Sequence, residues 1–583
     1  MVCSRRTRVV LAGLLCSSLG ASALLSTAAP AGASALASAP AVASSPAVPR
    51  TGDVRVVVQA QDGAAGALRR EVRRLGGNVT RALPIVGGFA ARLPATAVPR
   101  LAAAPGVIGL SEDRAVHVQG GGAATGTAIG PRVLQAPTAW SAGATGEGVT
   151  VALVDTGVAD SPDLAGRIVP VRDDVTGRTS SCYDLSGAHS CRDTYGHGTF
   201  MAGLIAGDGA SRGGAPTGAA PGARLLSVKV AGDDGAADVS TVLAAIQWVV
   251  SFRQRYGIQV LNLSLGTDSS QPWEDDPLNY AVERAWDAGI LVVVAASNRG
   301  PGPGSIAKPG DDPWVVTVGA VDDQGTPGTG DDRLPDFSSR GPTVDGVAKP
   351  DVVAPGGHVL SLRAPGSTLD REFPPADADS PYRSGSGTSM SAALVSGVAA
   401  LALQAHPSLS PDRLKHALTA SARPVATQDP SAVGAGLVDA GQVASAPAAG
   451  AANRGLAHAN GRGSLGGSRG SLDLRADDPL GTVLTGRQTA QILLWDAAGF
   501  TSGSWTPTTW YTSVNATLGW NTASWDGDFA GSNWTGSNWT GSNWTGSNWT
   551  GSNWTGSSWY EEHDESGSYG RSGKGSASYG AWD

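Results

Sequence analysis

The sequence predicts an α/β protein: a three-layer fold with a mostly parallel sheet, preceded by a small α+β ferredoxin-like domain and followed by a low-complexity, Trp-rich repeat tail. Three observations carry this. From about Ala128 to Ser445, β-rich runs alternate with helical ones, as they do when helices cover both faces of a parallel sheet. Before them lies a short β-α-β-β-α-β succession. After them, Gly-Ser-Asn-Trp-Thr repeats without variation from Gly531 to Thr555.

The elements follow in order. Arg5, Arg6 and Arg8 precede an apolar small-residue run, Val9 to Leu25, and then Ala33-Ser34-Ala35, which reads as a secretory signal over residues 1–35 and predicts an exported protein. The run is diluted by Ser17, Ser18, Gly20 and Ser22, which argues against a membrane anchor. A linker spans 36–52. From Asp53 to Gln119, strand Val54–Gln59 is followed by helix Leu68–Leu75, whose Leu68, Val72 and Leu75 share a face. Then come two strands within Val79–Leu93, a short helix Ala97–Ala104, and one or two strands within Val107–Val118. In the main domain, 120–445, strands are expected at Val149–Val154, Arg224–Val230, Val260–Leu265, Ile290–Ala296 and Val315–Val321. Helices are expected at Thr199–Ala206, Val239–Gln254, Pro277–Ala288 and Met390–Ala405.

A net charge of −8 and the lack of a basic stripe exclude nucleic acid as a partner. Of four cysteines, Cys3 and Cys16 fall in the signal. The remaining pair, Cys182 and Cys191, suggests a disulfide in an exported chain. The rival is a metal site of Cys182, His189 and Cys191, but the four-ligand spacing of zinc is missing.

Three strings occur in one order: Val154-Asp155-Thr156-Gly157, Gly196-His197-Gly198-Thr199 and Gly387-Thr388-Ser389-Met390. A hydroxyl nucleophile, an imidazole base and a carboxylate to hold the imidazole make the triad of acyl transfer, and the chain order Asp, His, Ser is that of subtilisin. By these residues, and by Asn262 to Gly266, Phe337 to Pro342 and Lys349 to Gly356, the chain resembles the subtilisin-like serine peptidases. The resemblance implies Asp155, His197 and Ser389 as catalytic residues, with no cofactor required. It also implies an oxyanion hole from the Ser389 N–H, at a helix start, and the Asn298 side chain. Substrate would lie as a strand along Ser264, Leu265 and Gly266, with Arg299 near the mouth of the primary pocket.

The resemblance further implies that residues 53–119 are an inhibitor-like prodomain, removed by the enzyme itself near Gln119. Structural calcium is common in the family; Asp322-Asp323 and Asp331-Asp332 read as acidic surface turns, and no ligands are assigned. Two departures stand out: Ala393 where Pro is usual, and Ser297 where Gly is usual.

Beyond Ala446 a Gly/Ala/Ser-rich linker, 446–490, leads to the tail, 491–583. A five-residue period suits neither a helix nor a simple strand. Its indoles could form a ladder of aromatic faces for polysaccharide or cell-envelope contact, or the tail could be a low-complexity product of repeat slippage.

Overall fold

A computed structural model describes residues 53–118, 128–173, 176–375, 377–426 and 429–463, and the backbone of a short antiparallel pair, Leu474–Arg475 with Val483–Leu484. The signal segment, Gln119 and the Trp pentads lie outside the described residues.

The N-terminal domain runs β1 (Asp53–Ala60), α1 (Ala65–Arg74), β2 (Asn78–Leu83), β3 (Gly88–Pro94), α2 (Val98–Ala102) and β4 (Val107–Glu112). Its antiparallel sheet has the order β2-β3-β1-β4. Because side chains alternate between the two faces of a strand, β1 serves two cores. Val54, Val56 and Val58 pack under Leu68, Val72 and Leu101 of the domain's own helices. Val57 points the other way and joins Leu83, Val86 and Ala90 in the large core of the main domain.

After β5 (Ala115–Val118) come α3 (Gly130–Val133), α4 (Ala136–Ser141), β6 (Thr150–Asp155), a small antiparallel pair β7 (Val171–Arg172) and β8 (Thr179–Ser180), β9 (Cys182–Asp184), α5 (His197–Ala206), β10 (Arg224–Lys229), β11 (Ala236–Asp238) and α6 (Val239–Tyr256). The chain continues through β12 (Ile258–Leu263), β13 (Leu265–Gly266), α7 (Pro277–Asp287), β14 (Leu291–Ala295), β15 (Val316–Val321) and β16 (Val352–Pro355). Last come β17 (Val359–Leu362), α8 (Thr368–Glu372), β18 (Tyr382–Gly385), α9 (Thr388–Ala405), α10 (Pro411–Ala420), α11 (Pro430–Val433) and α12 (Ala440–Ser445).

Seven strands form the central sheet in the order β16-β15-β14-β12-β6-β10-β9, and every pairing in it is parallel. Burial on both faces explains why β6 and β14 read as unbroken apolar runs rather than alternating ones. Helix α9 packs against β12, β14, β15 and β16, the half of this sheet that ends at β16. It is long and apolar enough to cross a membrane, yet it is almost wholly buried in the core.

Three differences from the sequence expectation bear on the site and its surroundings. The single strand expected at Val260–Leu265 divides at Ser264: β12 stays in the parallel sheet, while β13 leaves it and pairs antiparallel with β5. The helix expected from Met390 begins at Thr388, so Ser389 lies in its first turn. Residues 446–463, expected as linker, pack against the main domain.

Candidate active site

Strand β6 delivers Asp155 to the carboxyl end of the central sheet, where such sheets place their sites. His197 opens α5, and its Nδ1 lies 2.8 Å from Asp155 Oδ1 and 3.0 Å from Oδ2, with both side chains 1% exposed. A carboxylate facing Nδ1 fixes the tautomer that carries its hydrogen there, which leaves Nε2 as the acceptor. The approach is close enough that a Cβ on Gly198 would sit 2.1 Å from the Gly157 carbonyl oxygen.

A second carboxylate holds this pair together. Asp193, buried and absent from the sequence expectation, accepts at Oδ1 from Thr156 Oγ1 at 2.8 Å and Gly196 N at 2.7 Å. At Oδ2 it accepts from Thr199 N at 2.8 Å and Thr199 Oγ1 at 2.6 Å. It therefore caps the helix of His197 and pins that helix to the turn after Asp155. Below the turn, the buried Lys229 donates to the Thr156 carbonyl; desolvation lowers its pKa, and Asp193, Asp184 and Asp155 oppose that shift. The signal that could have found Asp193 is its type and position, an acidic residue just before a helix start.

Ser389 is buried at the start of α9, and α9 packs against α5. Its Oγ donates to the Ser264 carbonyl at 3.3 Å. Asn298 is oriented by Thr388: its Oδ1 accepts from Thr388 N at 2.9 Å and Thr388 Oγ1 at 3.0 Å. The carbonyl end of Asn298 is thus engaged by the residue next to Ser389. Ser297, in the position where the resemblance expects Gly, has φ of 98°. It is held there by Thr388 Oγ1 on its N–H at 3.1 Å and by Ser339 N on its carbonyl at 3.0 Å. Arg299 is exposed, and its N–H donates to Ser339 Oγ at 3.1 Å.

Strand β13, Leu265–Gly266, directly after Ser264, is already paired. β5 lies between β11 and β13, with His117 opposite Gly266 and Val118 opposite Leu265, and on its other side Ala115 to His117 opposite Asp238 to Ala236. Ser389 thus contacts the residue directly before the strand on which β5 lies.

Cys182 and Cys191 are joined in a disulfide, Cα to Cα 5.5 Å, which takes both thiols away from the metal alternative. Asp322 accepts from His358 Nδ1 at 3.0 Å, Asp331 accepts from Thr326 Oγ1 at 2.9 Å, and among the described residues no group of three or more His, Cys, Asp or Glu is arranged to hold a metal.

An Asp-His pair on a parallel sheet and a serine at a helix start, in the chain order Asp, His, Ser, are the arrangement of a subtilisin-like serine hydrolase. Comparison with known proteins agrees. The Subtilase family profile matches residues 146–452, and the chain belongs to that family, the subtilisin-like serine peptidases. It is 42% identical to "Serine protease AprX" of Bacillus subtilis (strain 168) over 301 residues, 51% of this chain and 66% of that protein. It is 35% identical to "Subtilisin Savinase" of Lederbergia lenta over 307 residues, 53% of this chain and 94% of that protein. The structure of fervidolysin from Fervidobacterium pennivorans, described as a keratinolytic enzyme related to subtilisin, shares the fold at a TM-score of 0.52 and 22% identity, over 68% of this chain and 62% of that one. The family match begins after the N-terminal domain and ends before Asn453.

Proposed function

We propose that the chain is an exported serine endopeptidase, made as a precursor whose N-terminal domain, 53–119, inhibits it in place until the enzyme cuts next to Gln119. One observation carries the reading: β5 takes the place of an extended substrate, bonded by its backbone between β11 and β13. Val118 is its last described residue and faces Leu265, one step from Ser264, whose carbonyl accepts from Ser389. The residue that follows Val118 is Gln119.

In the reaction, Ser389 Oγ attacks the peptide carbonyl carbon and His197 Nε2 takes its proton, while Asp155 stabilises the imidazolium. The C=O electrons move onto oxygen, where the Ser389 N–H and Asn298 Nδ2 hold the oxyanion. Collapse breaks the C–N bond, His197 returns the proton to the leaving amine, and water releases the acyl group by the same steps. Arg299 at the pocket mouth disfavours Lys or Arg before the cut. The Trp repeats supply the aromatic faces for polysaccharide or cell-envelope contact.

Intact-mass and N-terminal analysis of the wild-type chain beside Ser389→Ala tests the reading. Loss of the segment ending near Gln119 in the wild type alone is expected. Processing of neither chain would favour an outside activator, and equal processing of both would remove Ser389 as the nucleophile.

A further inference from the structure

The segment after α12 does not leave the molecule as a loose linker. Asn453 Nδ2 donates to the Trp314 carbonyl at 2.9 Å, and the Trp314 indole N–H donates to the Ala457 carbonyl at 3.0 Å. The Trp314 ring stacks on His458 with centroids 4.2 Å apart. Glu283, fully buried on α7, accepts from Ala459 N at 2.9 Å and meets His458 Nδ1 at 2.8 Å. Asn460 N then donates to the Glu274 carbonyl at 2.6 Å and Gly463 N to the Asp275 carbonyl at 2.6 Å. Residues 453–463 are therefore a strap with a fixed path, and they lie beyond the family match.

The end of the strap meets the N-terminal domain. In the β1-β4 register, Gln59 is opposite Gly109 and Val57 opposite Ser111, so all four side-chain positions share the face that packs onto the main domain. Gln59 Nε2, on a residue 7% exposed, donates to the Asn460 carbonyl at 3.0 Å. A Cβ on Gly109 would sit 2.0 Å from the Arg462 carbonyl oxygen, and one on Gly463 would sit 2.6 Å from Ser111 Cβ. The two smallest positions on β4 are thus those over which the strap passes, an arrangement that only close backbone contact requires.

We propose that residues 453–463 form a docking surface whose partner is the N-terminal domain of the same chain, so that this domain is held both by the substrate cleft and by the strap. What the strap does to activity rests on the inhibitor reading above; that it holds the domain does not. The strap ends at Gly463, and the rest of the Gly/Ala/Ser-rich stretch follows it in the sequence.

Hydrogen exchange on uncut precursors carrying Ser389→Ala tests this. Four chains are compared: the full chain, one ending at Gly463, one ending at Ala452, and the full chain with Gly109→Val, which pushes a side chain into the strap and leaves the catalytic domain unaltered. Exchange at 54–60 and 107–112 is expected to rise at least about fivefold in the last two and to stay level in the chain ending at Gly463. Unchanged exchange in both the Ala452 chain and Gly109→Val overturns the proposal. With Ser389 restored, the same two changes are expected to shorten the lag before peptide hydrolysis. Faster exchange with an unchanged lag would uphold the strap and count against the inhibitor reading.

Discussion

Thr156 Oγ1 donates to Asp193 Oδ1 at 2.8 Å, and this bond ties the residue after Asp155 to the cap of the helix that begins with His197. The Asp155–His197 contact therefore depends on a third acid that touches neither substrate nor the reacting atoms. Asp193→Ala is expected to lower kcat by roughly 10²-fold with little change in KM, since a displacement of about 1 Å costs that much. Asp193→Asn, which keeps part of the cap, should fall between. Steady-state kinetics decide this when paired with thermal unfolding of the same variants, because a loss confined to stability would assign Asp193 to the fold alone.

Asn298 is aimed by Thr388 through two hydrogen bonds to its Oδ1. Asn298→Ala is expected to reduce kcat by about 10² to 10³, the magnitude measured for the oxyanion donor of subtilisin. Thr388→Val removes the hydroxyl contact to Asn298 and the acceptor of the Ser297 N–H but keeps the Thr388 N–H bond to Asn298, and should lower kcat in the same direction by less. Equal rates for wild type and Asn298→Ala, on the same peptide ester, would remove the side chain from the oxyanion hole.

Ser297 holds φ at 98°, a region where a Cβ is strained. Ser297→Gly removes that strain but gives the unfolded chain more freedom, so a net gain of about 1 kcal/mol is expected. The urea midpoint of the full chain, compared with and without Ser297→Gly in a Ser389→Ala background, measures it. A midpoint that falls would mean that the buried hydroxyl stabilises more than the backbone loses.

Where the N-terminal domain meets α6, Arg55 pairs with Asp238 at 2.5 Å, and Asp113 accepts from Ser240 N at 2.7 Å and Ser240 Oγ at 2.6 Å. Burial first, and the Asp113 carboxylate second, push Asp238 up to about 6; burial raises Asp113 as well. A carboxyl raised by assembly binds its proton more tightly when assembled. Its contribution to holding the domain is complete below the ordinary value of 3.8 and is lost as pH rises through about 6. His117, lowered by burial, acts in the opposite sense. The difference between wild type and Asp238→Asn isolates the carboxyl. With Ser389→Ala in both, the chain that keeps Asp238 should lose more of its urea resistance than the variant between pH 5 and pH 7.5, values about a unit or more on either side of the raised value.

The sequence was legible where a physical signal is local. The apolar runs that became β6 and β14 are continuous because both faces are buried, and the order of Asp155, His197 and Ser389 survives any arrangement of the intervening chain. It was not legible where partners are chosen at a distance. Nothing in the run Val260–Leu265 says that it divides at Ser264, because the division is a change of hydrogen-bonding partner and not of hydrophobicity. Asp193 draws its role from Thr156, 37 residues earlier. The strap has the composition of a linker, and its order comes from Trp314 and Glu283, which no periodicity connects to it.

The position of Ser389 on α9 also bears on synthesis. The helix must pack against β12, β14, β15 and β16, all made earlier, so the nucleophile joins its acid and base only when nearly every long-range contact of the sheet exists. A chain still emerging from the ribosome carries Asp155 and His197 for more than half the length of the main domain before Ser389 is made. On the proposed mechanism, cutting power then arrives late and all at once, and a half-made molecule is harmless to its neighbours.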